Sequence, residues 1–109
     1  MHEEIYNKLK EVARAGTVTY YSDIAPMAGL DMSSPNDRYE IGAILDDINQ
    51  HEREFGRPML SAVVVHKESL MPGQEFFTLA RALGLFIGND RDKFYIQELR
   101  KVHDYWASH

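Results

Sequence analysis

The sequence contains no cysteine among its 109 residues. Disulfides, zinc sites built with thiolate ligands and catalysis by a thiol nucleophile are therefore excluded. Long apolar runs are also missing, since the longest ones, such as residues 61–65, are far too short to cross a bilayer. We therefore expect no membrane insertion, and the absence of cysteine is compatible with a reducing, cytoplasmic location.

Positive charge is scarce as well, and the formal net charge is −5. Between residues 31 and 57, seven acids accompany three arginines, so that this segment alone carries −4. Phosphate affinity comes mainly from lysine and arginine, and this segment therefore argues against tight binding of duplex DNA along its length. The same negative charge suits a surface that contacts a protein partner.

The remaining composition is typical of a small folded domain. Hydrophobic residues make up 44% of the chain and aromatic residues 11%. A chain of this length forms one core, and we predict a single domain over residues 1–109. Apolar residues recur with helical spacing in four segments: 3–15, 35–55, 76–83 and 90–106. Two segments rich in β-branched or aromatic residues predict strands: 17–20 and 60–66.

Local signals mark where the helices begin and end. Gly16 is a natural C-terminal stop, Ser34 before Pro35 is a helix start, and Asn89-Asp90 is the predicted cap of the last helix. Ser22 is expected to cap a short helix that ends by Gly29.

Two helices are predicted to bury an apolar stripe. The first stripe consists of Ile41, Ile44, Leu45, Ile48 and Phe55, and the second of Tyr95, Leu99, Val102 and Trp106. Gly42 interrupts the first helix at a cost of about 1 kcal/mol relative to alanine. We attribute this glycine to close packing of another element rather than to the approach of a ligand.

Three segments follow one another in an informative order. Residues 16–25 read Gly-Thr-Val-Thr-Tyr-Tyr-Ser-Asp-Ile-Ala, a helix from Ser34-Pro35 follows, and Pro58 then precedes Ser-Ala-Val-Val-Val at 61–65. This order resembles the DNA-binding domain of the alkylguanine-DNA alkyltransferases and alkyltransferase-like proteins. In that family V-T-T-Y-G-D-V-A precedes the recognition helix and P-C-H-R-V-V follows it. The resemblance covers roughly residues 5 to 85.

The resemblance implies a fold. It is an α+β, small winged-helix-like domain, mostly helical with a short sheet, in which the loop 67–73 occupies the position of the wing. Residues 90–106 have no part in the resemblance and add an extra C-terminal helix. The resemblance also excludes one activity, because Met59 and Leu60 stand where the family has its alkyl-accepting cysteine and histidine. Alkyl transfer needs that thiolate and a base to generate it.

The resemblance further implies a nucleic-acid-binding site. Tyr21 matches the family's tyrosine beside the DNA backbone, and Tyr39 stands where the family has its intercalating arginine, with Arg38 as its neighbour. Lys67 lies in the loop at the wing position. We expect one of Tyr20 and Tyr21 to pack in the core, and Arg38 either to reach a partner or to pair with a nearby carboxylate. The favoured function is non-enzymatic nucleic-acid binding, with weak affinity for DNA.

Two other functions remain open. The acidic helix 35–55 and the aromatic C-terminal helix are consistent with a protein-interaction module or a homodimer. His66, Lys67 and Glu68, with Ser61 nearby, form the polar cluster that a hydrolase or nuclease would use. No cofactor or metal is expected, because the best pair of ligands, Asp47 and His51 one helical turn apart, is more typical of a surface contact.

Overall fold

The computed structural model describes all 109 residues. Helices and strands follow in the order α1 (Glu3–Arg14), β1 (Thr19–Tyr20), α2 (Tyr21–Ile24), α3 (Pro35–Glu54), β2 (Val64–Val65), α4 (Gln74–Ala82) and α5 (Arg91–Trp106). Two short 3₁₀ helices, Ala25–Ala28 and Leu60–Val63, complete the path. None of the helices has the length and apolar character required to cross a membrane.

Three of the predicted helix boundaries are confirmed. The hydroxyl of Ser34 accepts a hydrogen bond from the Asp37 amide, and the Asp90 carboxylate accepts one from the Lys93 amide. Gly16 ends α1 and has a φ of 69°. The amides of Gly16 and Thr17 donate hydrogen bonds to carbonyl oxygens of the last helical turn.

The Ser22 cap is wrong. Helix α2 begins at Tyr21, directly after β1, and the capping position is Tyr20, whose side chain makes no capping hydrogen bond. The helix begins one residue before the predicted cap, and its first residue, Tyr21, is buried in the core with a side chain that is 4% exposed. The prediction that one of the two tyrosines would be buried is confirmed, and Tyr20 is the half-buried one.

The strand predicted over 60–66 is reduced to Val64–Val65, and 3₁₀ turns occupy the residues before it. The physical reason is that side chains capture two backbone amides at the start of this segment, one just before it and one inside it. The Met59 amide donates to Glu98 Oε2 at 2.9 Å, and the Ser61 amide donates to Asn49 Oδ1 at 3.0 Å. Both of these acceptors are buried.

The two strands pair in parallel, with Thr19 opposite Val64 and Tyr20 opposite Val65. The mostly helical α+β class with a short sheet and an added C-terminal helix is thereby confirmed. The winged-helix assignment is not confirmed, because the loop after β2 continues directly into α4 and no further strand follows to form a wing.

One hydrophobic core lies between the sheet and the long helices. From α3 it takes Ile41, Leu45 and Ile48, as predicted, but Phe55 lies outside and is 61% exposed. Phe55 follows the last helical turn, and its ring lies instead beside the Arg57 guanidinium at 4.6 Å. The α5 stripe is confirmed, since Tyr95, Val102 and Trp106 are buried and Leu99 packs against them.

Candidate nucleic-acid interface

Three of the four predicted binding residues meet at one concavity. Tyr21, Arg38 and Lys67 line a pocket of about 440 Å³, which we call the edge pocket. Its other lining residues are Ser22, Met32, His66 and Glu68. The fourth residue, Tyr39, lies outside it and is 79% exposed.

The parallel sheet explains why residues so distant in sequence come together. The carboxyl ends of parallel strands lie at the same edge of a sheet, and the register pairs Tyr20 with Val65. Tyr21 directly follows β1, and His66 directly follows β2. Their rings stack with centroids 4.4 Å apart and an interplanar angle of 25°. Both residues of this stack line the edge pocket.

The Tyr21 hydroxyl is fully engaged inside the protein. It accepts a hydrogen bond from the Gly73 amide at 2.7 Å and donates one to Glu75 Oε1 at 2.9 Å. Burial, and next to it the negative charge of Glu75, raises the pKa of Tyr21 well above its ordinary value. Tyr21 therefore fixes the end of the loop and holds the His66 ring, and its hydroxyl is not presented to a ligand.

Two cations flank this stack. Arg38 is exposed and has no carboxylate oxygen within 4.0 Å, so the pairing with Asp37 that the sequence allowed does not form. Asp37 instead accepts a hydrogen bond from the Asp31 amide. Lys67 is also exposed, and its Nζ lies 5.4 Å from the centre of the Tyr20 ring. Glu68 is the only acid among the residues that line the edge pocket.

A second concavity adjoins the first across the start of α3. We call it the helix pocket; its volume is about 320 Å³, and it is lined by Arg38, Tyr39, Gly42, Ala43, Asp46 and Glu75. Gly42 lets α4 approach closely, because a Cβ at this position would lie 3.3 Å from Cγ of Glu75. The packing interpretation of Gly42 is confirmed.

Asp46 has an unusual environment in the helix pocket. Its Oδ1 is buried without a hydrogen-bond partner. Burial first, and then the charge of Glu75, raises the pKa of Asp46 from 3.8 to about 6. Sequence reasoning missed both carboxylates, because their proximity depends on how α4 packs against α3.

Asp46 makes stability depend on pH, and the sign follows from the raised pKa. The folded state holds a proton on Asp46 up to about pH 6, whereas the unfolded chain releases it near pH 3.8. This contribution to stability is therefore present below about pH 4 and is lost as the pH rises through 6. Asp46→Asn removes this pH-dependent loss of stability, because an amide does not ionise. Since the side chain is only half-buried, we expect the free energy of unfolding at pH 7.5 to rise by about 0.5–1.5 kcal/mol in this variant.

Urea denaturation at pH 4 and pH 7.5 measures this effect. Asp47→Asn is the matched control, because the exposed Asp47 carboxylate contacts only the N-terminal amino group, at 3.5 Å. Equal stability of the wild type and Asp46→Asn at pH 7.5 would contradict the assignment.

The polar cluster considered for hydrolysis is only partly assembled. His66, Lys67 and Glu68 line the edge pocket together, but Ser61 is buried elsewhere and accepts a hydrogen bond from Asn49 Nδ2 at 2.7 Å. Ser61 is therefore a structural residue. His51 lies against the rings of Tyr6 and Phe55. No three histidine or acidic side chains come together in a way that could hold a metal ion.

No family model, characterised protein or solved structure matches this chain.

Proposed function

We propose that the protein is a non-enzymatic nucleic-acid-binding domain that uses the edge pocket. The observation that carries the proposal is the convergence of Arg38, Lys67 and the Tyr21–His66 stack on one concavity. Two unpaired cations beside a rigid aromatic face are the combination that single-stranded nucleic acids require. Arg38 and Lys67 contact neighbouring phosphates, and His66 presents a flat ring to a base.

The stack is well suited to this role because it is held in place before binding. Two hydrogen bonds fix Tyr21, and its ring supports one face of His66. A site that is already ordered loses little conformational entropy when a ligand binds. A volume of about 440 Å³ lies within the range of small-ligand sites and accommodates a base more readily than a duplex.

The acidic balance of the chain limits the affinity. Arg38 and Lys67 are the only cations at the pocket, so binding neutralises two phosphates. A plot of log affinity for a single strand against log salt concentration should therefore have a slope of about −1.4. We expect weak binding that is readily measured only at low ionic strength, and weaker binding to duplex DNA.

Fluorescence anisotropy with a labelled 12-nucleotide single strand tests the proposal. We expect the double variant Arg38→Ala/Lys67→Ala to weaken binding about tenfold or more and to flatten the salt dependence. The matched control is Lys93→Ala/Arg100→Ala, which removes the same charge from exposed positions of α5.

Equal losses from the two double variants would mean that binding is general electrostatic attraction and would contradict the edge pocket as the site. No binding by the wild type at low salt would favour the second function, protein interaction. That function has its own support in exposed apolar side chains outside the edge pocket, namely Phe55, Ile87 and Ile96. The aromatic residues of α5 give protein interaction less support, because Tyr95 and Trp106 are buried within their own chain.

A further inference from the structure

The edge pocket and the helix pocket share Arg38, which lines both of them. A ligand whose phosphate lies at Arg38 is therefore able to reach either concavity. The two differ in chemical character, since the edge pocket has two cations and one acid, whereas the helix pocket has one cation and two acids.

The helix pocket offers hydrogen-bond acceptors that the protein itself leaves largely unused. Glu75 Oε1 accepts a hydrogen bond from Tyr21, whereas neither Glu75 Oε2 nor Asp46 Oδ2 accepts one, and Asp46 Oδ1 is buried beneath the pocket surface without a partner. No lysine or arginine nitrogen lies within 4.0 Å of either carboxylate. Bringing two carboxylates together without a counter-charge is unfavourable, so donors supplied by a ligand would relieve an existing cost.

Tyr39 supplies the apolar wall of the same pocket. Its side chain is 79% exposed and makes no ring contact with another aromatic residue. An exposed tyrosine ring beside two acceptors suits a flat ligand that stacks on the ring and carries N–H donors at its edge.

We propose that the helix pocket receives a nucleobase through its exocyclic amino group, so that the protein prefers cytosine to thymine in a single strand. This inference rests on the proposed nucleic-acid binding. The two pyrimidines match in size, but cytosine presents an N4 amino group where thymine presents the O4 carbonyl. The amino group donates to Asp46 and Glu75, whereas the carbonyl oxygen is repelled by them.

The test compares 12-nucleotide homopolymers of deoxycytidine and thymidine by anisotropy at pH 7.5 and low salt. We expect the wild type to bind oligo(dC) about tenfold more tightly than oligo(dT). Asp46→Asn and Glu75→Gln should each reduce this ratio toward one, because an amide can turn its N–H₂ group toward the thymine carbonyl. Asp47→Asn, which alters an acid outside the pocket, should retain the ratio.

Glu75→Gln keeps an oxygen that can accept the Tyr21 hydrogen bond, and Asp46→Asn breaks no hydrogen bond, so that both variants should fold. Equal binding of the two homopolymers, with the dependence on Arg38 and Lys67 intact, would overturn this inference and leave the proposed function standing. Failure of the wild type to bind either homopolymer would overturn both.

Discussion

Replacing Arg57 with alanine is expected to destabilise the fold by about 3–5 kcal/mol, because it leaves a buried carboxylate without its charge partner. Glu52 is fully buried on the inner face of α3. Arg57 Nη2 donates to Glu52 Oε2 at 2.7 Å, and Arg57 Nε donates to both carboxylate oxygens at 3.2 Å. These bonds raise the pKa of Arg57 above its ordinary value. After the substitution only the Tyr6 hydroxyl, at 3.1 Å, remains as a donor to Glu52.

Chemical denaturation followed by circular dichroism measures this loss. Arg53→Ala is the matched control, since Arg53 is an exposed arginine of α3, the helix that carries Glu52, and has no ion pair. Its substitution should change stability by less than about 0.5 kcal/mol. Adding Glu52→Gln to Arg57→Ala should recover part of the loss, because the uncompensated charge disappears. A loss equal to that of Arg53→Ala would contradict the interpretation of this pair.

Trp106→Ala should destabilise the fold by about 2–4 kcal/mol. Its side chain is 5% exposed within a single chain, where α5 packs against α1. The guanidinium groups of Arg14 and Arg57 lie over the ring at 5.3 and 5.7 Å. Because Arg57 contacts both Glu52 and Trp106, the Trp106 and Arg57 substitutions should not be additive. The Trp106 contact is internal, and the elution volume in size-exclusion chromatography should not change.

Two comparisons sharpen the Trp106 measurement. Ile96→Ala removes an exposed apolar side chain from the same helix and should have little effect. Trp106→Phe should cost less than Trp106→Ala, because it keeps an aromatic ring and removes an indole N–H that is buried without an acceptor. An unchanged melting temperature for Trp106→Ala would show that the end of α5 contributes nothing to stability.

The sequence predicts three helix boundaries correctly from signals within one turn of chain, although the local cap signal at Ser22 fails. Ser34 and Asp90 cap helices through amides three residues ahead, and Gly16 ends α1 because a left-handed φ is needed there. Sequence reasoning fails over 60–66, because Asn49 captures the Ser61 amide from 12 residues away and Glu98 captures the amide of Met59, just before the segment, from 39 residues away. No local sequence pattern predicts hydrogen-bond partners that lie so far away along the chain.

The candidate site shows the same division. The resemblance predicts Tyr21, Arg38 and Lys67 individually, but their shared pocket depends on a parallel strand pairing that the sequence does not predict. The sequence places His66 only in a hydrolytic cluster, and its stacking on Tyr21 becomes evident from the strand register. Asp46 and Glu75 line the same pocket because Gly42 allows α4 to pack closely against α3. The sequence predicts close packing at Gly42 but does not identify α4 as the element that packs there.

Mapping amide shifts in two-dimensional ¹H–¹⁵N spectra during titration with a 12-nucleotide single strand tests the central claim most directly. The account predicts progressive shifts at residues 21–22, 38–39 and 66–68, which reach saturation together and are strongly reduced at the same strand concentrations in Arg38→Ala/Lys67→Ala. Shifts confined to the opposite end of α3, around Arg53, Arg57 and Lys101, would move the interface to another pocket that these cations line. That result, or spectra without any shift at low salt, would contradict the account.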